Sequence, residues 1–297
     1  MVMTMKRWLR SEAFAAWAFM TPGLALLAVF VFWPILYSIP LALTNYSGLT
    51  DASYVGFDNF VRALKDRNFL ISLWNSLVYV LVVPFIQIFS ILMAVLVNGR
   101  IPGIRAFRAA YYTPVVTSMV AVALIWSWLL SNNGVVNYLL MQAGVLSEQI
   151  AWLSGSATAL YVLMFITMWK GLGYYMMLYL AGLQNIPSDL YEAARVDGAG
   201  RLRLMLHITI PMLRPYVLFC TLFSVMSAIR VFDEVYILTK GGPGTSTLTS
   251  SLYIFQKGME QFEFGYTSAL GLIVSLLVGA LSVLVFWLNR KGGINSY

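Results

Sequence analysis

The chain has 297 residues, of which 60% are hydrophobic and only 10% are charged, and its mean hydropathy is +0.78. A soluble protein of this length could not bury so much apolar surface, so the composition indicates a membrane protein with several spans. One cysteine and one histidine exclude a disulfide framework, a cysteine-rich metal site and any site that needs two histidines. The net charge of +7 would indicate a nucleic-acid partner in a soluble chain, but here the positions of the charges matter more, and we expect no nucleic-acid partner.

The first apolar run follows a basic start, Met5-Lys6-Arg7-Trp8-Leu9-Arg10, which looks like the n-region of a signal peptide. The run itself, about residues 14–37, is too long for a signal-peptide core and has no small-residue cleavage site. We therefore expect a retained first membrane span.

Six apolar stretches supply the roughly 20 helical residues that a bilayer core requires. They cover about residues 14–37, 75–97, 109–131, 157–182, 212–238 and 266–288. These stretches must be helical, because lipid offers no partner for unpaired backbone amides. The sequence thus predicts an all-α membrane protein with six transmembrane helices, organised as a single domain over residues 1–297.

The distribution of lysine and arginine predicts that both termini face the cytoplasm, because cytoplasmic loops carry the excess of these residues. With the N-terminus inside, the inner segments hold Lys6, Arg7, Arg10, Arg100, Arg105, Arg108, Arg195, Arg201, Arg203, Arg214, Arg290 and Lys291. The outer segments hold only Arg62, Lys65, Arg67, Lys240 and Lys257. The polar loop between the fourth and fifth spans then lies in the cytoplasm.

That loop has a distinctive inner pattern. Within the polar stretch 191–215, Glu192-Ala193-Ala194 is followed by Gly198 and closed by Ile210-Pro211. The pattern resembles the EAA loop of permease subunits in binding-protein-dependent ABC importers, with Ile210 standing where leucine usually precedes the proline. An ordinary amphipathic loop anchored by arginines is the alternative, but it does not explain the alanine pair, the glycine and the proline together.

The resemblance implies the type I ABC importer permease fold and a coupling loop, residues 185–211, whose short helices dock into a groove on an ATPase subunit. The positions implied in ATPase coupling are Glu192, Ala193, Ala194, Asp197, Gly198 and Pro211. It also implies a second permease subunit, two ATPase subunits, an extracytoplasmic solute-binding protein and a location in a prokaryotic inner membrane.

Three outer segments resemble the sugar-importing branch of this family, in which the larger maltose permease is placed. They are the aromatic segment 54–60, the turn Asn132-Asn133-Gly134 and the loop Thr239-Lys240-Gly241-Gly242-Pro243-Gly244. The resemblance implies import of a carbohydrate, an oligosaccharide or a sugar derivative, by alternating access. Most residues of these segments can equally be solvated connectors.

No nucleotide-binding motif occurs in the sequence. There is no G-x-x-x-x-G-K-[ST], and the glycine-rich segment 241–246 lacks the lysine that would reach phosphates. We therefore expect that the chain is not an enzyme and carries no cofactor or metal, and that ATP and Mg²⁺ bind to the partner ATPase subunits.

Ionisable residues inside a span usually face a cavity or a protein interior. Lys170 lies in the fourth span, and Arg230, Asp233 and Glu234 lie near the end of the fifth, where the arginine is expected to pair with either acid on one helix face. We favour a cavity position for Arg230, and weigh cavity and interface evenly for the two acids.

Aromatic faces and planar polar groups are the side chains that hold sugars. The candidates for the substrate pathway are Asn75, Tyr79, Gln87, Trp126, Tyr174 and Tyr175, together with Lys170, Arg230 and Asp233. Each of them can also serve only helix packing or an interfacial belt.

Three alternatives to sugar import stay open. A glycerol-3-phosphate importer belongs to the same family. An intramembrane lipid-linked sugar transferase would require acids or metal ligands clustered at one interface, and the acids here are few and scattered. If the chain were a secondary carrier, its EAA pattern would have arisen by chance.

Overall fold

The computed structural model describes residues 12–48, 51–99 and 102–290. Helices dominate this part of the chain, and its only strand-like pairing is an isolated bridge between Thr44 and Tyr54. The all-α prediction is confirmed. Five of the basic residues used to predict the orientation lie outside the described residues: Lys6, Arg7, Arg10, Arg100 and Lys291.

The helices of the first part of the chain are α1 (Glu12–Leu27), α2 (Trp33–Ala42), α3 (Asp58–Lys65), α4 (Arg67–Tyr79), α5 (Val82–Val97), α6 (Ile104–Val116), α7 (Met119–Leu129) and α8 (Val135–Gln142). Those of the second part are α9 (Ala159–Gln184), α10 (Ser188–Val196), α11 (Arg201–Leu204), α12 (Ile210–Met212), α13 (Arg214–Ile229), α14 (Asp233–Leu238), α15 (Ser250–Phe255) and α16 (Phe264–Arg290). Three π-helical turns, Ala28–Phe32, Met205–Thr209 and Gln256–Glu260, join consecutive helices.

The described residues fall into two compact units. The first lies within Met1–Lys65 and Gln256–Ile273, and the second lies within Asp66–Phe255 and Val274–Tyr297. In the first unit, the side-chain amide of Asn59 donates hydrogen bonds of 2.8 Å to the carbonyls of both Ala42 and Thr44. The guanidinium of Arg62 in α3 pairs with the Glu263 carboxylate and lies 3.9 Å from the centre of the Tyr266 ring.

Four helical segments are long and apolar enough to cross a membrane: Phe14–Ala42, Arg67–Val97, Arg214–Leu238 and Phe264–Leu288. They coincide with the predicted first, second, fifth and sixth spans. No residue in the most apolar window of Phe14–Ala42 is buried within the chain. That segment therefore presents its side chains to lipid or to a partner.

The third predicted span, residues 109–131, coincides with two helices and the bend between them. Helices α6 and α7 meet at an angle of 97°. Pro114 lies in the last turn of α6, and Thr117 and Ser118 leave the helical conformation. The Ser118 hydroxyl then caps α7 by accepting a hydrogen bond from the Ala121 amide. The pair counts as a fifth candidate span only if the two helices are taken together.

The fourth predicted span is the 26-residue helix α9. It falls outside the set of apolar candidates, and it contains Lys170, two glycines and two adjacent tyrosines in one short stretch. It also carries much of the core of the second unit, including the fully buried Leu163, Ile166, Met176 and Tyr179. A helix that is largely covered by protein has less need of an apolar surface.

One glycine sets the closest helix crossing in this core. A Cβ atom on Gly173 of α9 would lie 2.1 Å from the Tyr111 carbonyl oxygen of α6. Only a residue without a side chain lets the two backbones approach this closely. This close contact determines which neighbouring helices the middle of α9, with Lys170 and Tyr174, faces.

Candidate functional site

The second unit encloses a cavity of about 300 Å³. Helices α5, α6, α9, α13 and α14 form its wall, with α9 contributing the largest share. The lining residues are Val82, Ile86, Val115, Thr167, Lys170, Gly171, Tyr174, Tyr175, Phe223, Ser224, Ser227, Ala228 and Glu234. The surface of the cavity is mainly apolar, and its polar groups come from the three helices α9, α13 and α14.

A chain of hydrogen bonds holds one acid at the cavity wall. The Tyr79 and Thr167 hydroxyls lie 2.7 Å apart, and the Thr167 hydroxyl donates to the Glu234 carboxylate at 3.4 Å. Tyr79 is fully buried, so it supports Thr167 from behind. The Lys170 ammonium group lies on the same wall and donates to the Val115 carbonyl at 3.5 Å. Among the described residues, the cavity wall therefore carries one basic and one acidic side chain, from two different helices.

Aromatic rings and hydroxyls complete the wall. Tyr174 and Tyr175 meet edge to face with their ring centres 5.2 Å apart, and Phe223 is half exposed across from them on α13. Ser224 and Ser227 lie one helical turn apart on the same helix, so both hydroxyls share its cavity-facing side. Ring faces combined with hydroxyl, ammonium and carboxylate groups can hold a polyhydroxylated molecule, with carbon surfaces against the rings.

The structure brings three of the predicted pathway residues together: Lys170, Tyr174 and Tyr175 all line the cavity. Tyr79 lies one hydrogen bond behind it. Asn75 is elsewhere, because its side-chain amide donates to the Thr245 and Leu248 carbonyls at 3.0 and 2.9 Å and so anchors the loop before α15.

Trp126 does not line the cavity. Its ring packs edge to face on Phe165 and Trp169, with centre distances of 5.6 and 5.5 Å. It lines a separate apolar groove that includes Trp152 and Tyr161.

The predicted charge cluster of the fifth span is wrong in its geometry. Helix α13 ends at Ile229 and α14 begins at Asp233, so Arg230 and the two acids do not share one continuous helix. Arg230 and Asp233 are exposed, neither lines the cavity, and the described residues contain no ion pair between Arg230 and either acid.

Glu234 is the cavity acid that the predicted pathway set omitted. Glu234 lines the cavity directly after the break between α13 and α14. Beside it, the Phe232 ring stacks on the Tyr236 ring and packs against the Phe255 ring, with ring centres 5.2 and 5.1 Å apart. The two serines of α13 were also missed. Their spacing of three residues on an apolar helix is a signal that the sequence carries.

The predicted coupling loop consists of α10 followed by the short helical turns α11 and α12. Gly198 ends α10 with φ of +78°, a left-handed conformation that favours glycine. The Gly198 amide donates to the Arg195 carbonyl, and the Ala199 amide donates to the Ala194 carbonyl. These two bonds form a Schellman cap, which explains why the pattern has glycine at this position.

The two halves of the loop are tied by a hydrogen bond of 3.0 Å between the Tyr191 and Thr209 hydroxyls. Glu192, Ala193 and Asp197 are exposed, and Ala194 is half-buried. Val196 and Leu202, beside the turn, are 89% and 71% exposed. Such apolar side chains on a polar loop form a surface suited to a protein partner.

Pro211 closes the sequence pattern of the loop but does not interrupt its helical segment. It lies inside α12, directly after the π-helical turn Met205–Thr209, and the next long helix begins at Arg214. Proline lacks the amide that would continue the normal hydrogen-bond ladder, and the wider π turn before it accommodates that loss.

Comparison with known proteins identifies the family of this chain. Residues 11–291 match the family model of the binding-protein-dependent transport system inner membrane component. The chain belongs to this family. It is a multi-pass permease of the inner membrane and a transport component, so the family predicted from the EAA pattern is confirmed.

Relatives of this permease match it over most of their length. The lactose transport system permease protein LacF of Rhizobium radiobacter is 36% identical over 93% of this chain and 94% of that protein. The diacetylchitobiose uptake system permease protein NgcF of Streptomyces coelicolor is 32% identical over 93% of this chain and 82% of that protein.

Solved structures show the same fold. A chain of a bacterial ABC transporter involved in import of the acidic polysaccharide alginate superposes with a TM-score of 0.83 at 23% identity, covering 99% of this permease and 100% of that chain. A second structure of a bacterial alginate transporter, in complex with a periplasmic protein bound to an alginate pentasaccharide, also gives 0.83 at 23% identity, over 96% of both chains. The permease therefore has the predicted type I ABC importer fold.

Proposed function

We propose that this permease moves a carbohydrate, an oligosaccharide or a sugar derivative, through the cavity of the second unit. The observation that carries the proposal is the lining of that cavity, where tyrosine and phenylalanine rings lie beside serine and threonine hydroxyls, Lys170 and Glu234. Relatives named for lactose and diacetylchitobiose transport support it. All of these relatives are transport permeases, which favours transport over the transferase alternative.

In the proposed arrangement, six spans cross the membrane as one domain over residues 1–297, and both termini lie in the cytoplasm. Four apolar helical segments, the bent pair α6–α7 and the helix α9 supply the six. The excess of lysine and arginine in the inner segments supports the orientation.

The coupling loop is proposed to dock into a groove of an ATPase subunit through Glu192, the alanine pair and the exposed Val196 and Leu202. The complex would contain a second permease, two ATPase subunits that bind ATP and Mg²⁺, and an extracytoplasmic binding protein, with no cofactor or metal on this chain. The alginate transporter, whose structure includes a periplasmic protein, supports the last of these partners. ATP-driven movement of the coupling helices would then alternate the access of the cavity.

A matched pair of neighbouring acids tests the proposed cavity. In proteoliposomes containing the complete transporter, uptake of labelled oligosaccharides should fall in Glu234→Gln, because this change removes the one acidic side chain that lines the cavity among the described residues. Uptake should be unchanged in Asp233→Asn, whose side chain is exposed outside the cavity. Equal uptake by both variants and the parent protein would remove the cavity from the transport route.

A further inference from the structure

Two side chains of opposite charge line the cavity of the second unit without pairing with each other. They are Lys170 on α9 and Glu234 on α14. Among the described residues, Glu263 forms ion pairs with Arg62 and Lys257, but Lys170 and Glu234 form none within 4.0 Å. The ammonium group and the carboxylate therefore stay separate, and a molecule in the cavity can meet both.

Neither charged group is fully satisfied by the protein. The Lys170 ammonium group donates to the Val115 carbonyl at 3.5 Å, and the Glu234 carboxylate accepts from the Thr167 hydroxyl at 3.4 Å and from its own backbone amide. Both distances are longer than the roughly 2.5–3.2 Å of a normal hydrogen bond. An ammonium group has three donors and a carboxylate has two acceptor oxygens, so much of this capacity is left for a molecule in the cavity.

Thr167 brings the two charges close together. It lies three residues before Lys170 on α9, so both side chains share one face of that helix, and its hydroxyl contacts the Glu234 carboxylate. An anion in the cavity is then attracted by Lys170 and repelled by Glu234 at similar range, so the two interactions largely cancel. The mainly apolar wall does not replace the hydration that such an anion loses.

We propose that Glu234 makes the cavity selective for uncharged sugars, because it rejects sugars that carry a carboxylate, a sulfate or a phosphate. With Lys170 as the only charge, the wall would attract such anions, and the acid removes that preference. A sugar hydroxyl is suited to both groups, since it can accept from the ammonium group and donate to the carboxylate. The inference rests on the proposed function, because it concerns what passes through the same cavity.

Thiol modification measures the electrostatic field in the cavity without any knowledge of the substrate. The single cysteine of the chain, Cys220, is buried, so Cys220→Ala with Ser227→Cys leaves one thiol in this chain, on the cavity wall. The complete transporter in detergent is treated with two methanethiosulfonate reagents of similar size, the anionic ethylsulfonate and the cationic ethyltrimethylammonium. Mass spectrometry of this chain gives both rates, and the ratio of the anionic to the cationic rate reports the field.

Glu234→Gln in this background should raise that ratio about tenfold or more, because Lys170 is then the one charged residue of the described wall. Lys170→Gln should lower the ratio. The matched control is Asp233→Asn, which removes a neighbouring exposed acid outside the cavity and should leave the ratio as in the parent. Equal ratios in Glu234→Gln and Asp233→Asn would overturn the proposal. If Lys170→Gln fails to fold, the two acid variants decide alone.

A matched pair of sugars tests the selectivity itself. Methyl β-glucuronide differs from methyl β-glucoside only in a carboxylate that replaces the hydroxymethyl group. With the uncharged reagent methyl methanethiosulfonate, the glucoside should slow modification of Ser227→Cys in the parent background and the glucuronide should not. In Glu234→Gln the glucuronide should slow it as well. Equal effects of the two sugars in the parent background would overturn the proposal.

These measurements separate the inference from the proposed function, because they need neither ATP nor transport. If Glu234→Gln lowers oligosaccharide uptake but leaves the modification ratio unchanged, the cavity stays the transport route and Glu234 does not select by charge. If the ratio shifts as expected but uptake does not change, the cavity is not the route, and the selection falls with it.

Discussion

The Tyr179 hydroxyl donates a hydrogen bond to the side-chain carbonyl of Gln87, where α9 crosses α5. Both side chains are buried. The same glutamine donates through its amide nitrogen to the Ser224 hydroxyl at 2.8 Å and to the Cys220 carbonyl at 3.3 Å in α13. One amide therefore joins three helices, and Ser224 is itself part of the cavity wall. The glutamine that the sequence offered as a sugar contact is a positioning residue behind the cavity.

Replacing this amide should destabilise the permease. Gln87→Leu leaves the Tyr179 hydroxyl without its acceptor in the protein interior, and the expected loss is about 1–2 kcal/mol, as for interhelical hydrogen bonds in membranes. Chemical unfolding in detergent, followed by tryptophan fluorescence, measures it. Gln142→Leu, at an exposed position of α8, is the control. Equal stability of the two variants would show that the network contributes nothing.

Two glycines of α9 provide a test of the close crossing with α6. Gly173→Ala places its methyl group 2.1 Å from the Tyr111 carbonyl, which forces the backbones apart and should cost about 1–3 kcal/mol of stability. In Gly171→Ala the nearest neighbour is the Ile86 side chain at 3.8 Å, an ordinary contact, so that variant should stay close to the parent. Thermal unfolding of both purified variants distinguishes them. A Gly173→Ala protein as stable as Gly171→Ala would contradict the packing described here.

The sequence located the apolar helices well and their interruptions poorly. Apolar runs of sufficient length are visible along the chain, and four of them coincide with membrane-length helices. The bend of 97° between α6 and α7 depends on the cap made by Ser118, and the break at residues 230–232 has no proline to mark it. Both changes follow from local geometry that hydropathy does not record.

Only some of the cavity residues could be predicted, because the others depend on local geometry that the sequence does not show. Lys170 stood out because an ionisable residue within a span is costly, and its neighbours Tyr174 and Tyr175 followed. Which of Asp233 and Glu234 faces the cavity depends on the break between α13 and α14, which the sequence does not show. The anchoring role of Asn75 could not be predicted, because its partners, the carbonyls of Thr245 and Leu248, lie about 170 residues away along the chain.

Acidification should weaken the charged cluster of the first unit, in which the Glu263 carboxylate pairs with Arg62 and Lys257. Burial raises the pKa of the Glu263 carboxyl, but the hydrogen bond and charge of Arg62, with the charge of Lys257, outweigh it and hold the pKa below its ordinary value. A carboxylate whose pKa is lowered by folding stabilises the native state at neutral pH. That contribution is lost as the pH falls below the usual glutamate range, toward the lowered pKa.

After correction for the intrinsic exchange rate at each pH, the protection of residues 58–65 against hydrogen exchange should therefore fall below the usual glutamate range in the parent protein. In Glu263→Gln, the protection should already be lower at neutral pH and should change less on acidification. Glu260→Gln, which removes an exposed acid three residues earlier, should keep the response of the parent. If Glu263→Gln retained the same pH dependence, the cluster would not be its source.

Two glycines of the coupling loop separate backbone conformation from side-chain volume. Neither Gly198 nor Gly200 has a neighbouring atom within 4 Å of an added Cβ, but only Gly198 has a positive φ, of +78°. Alanine at Gly198 must adopt a left-handed conformation, which costs roughly 1–2 kcal/mol and loosens the cap of α10. At Gly200, with φ of −72°, alanine is unstrained.

We expect Gly198→Ala to lower transport-coupled ATP hydrolysis in the reconstituted complex, while Gly200→Ala keeps it near the level of the parent. Circular dichroism should show the same helix content in both variants. Equal coupling in the two proteins would mean that the cap does not position the loop against its partner.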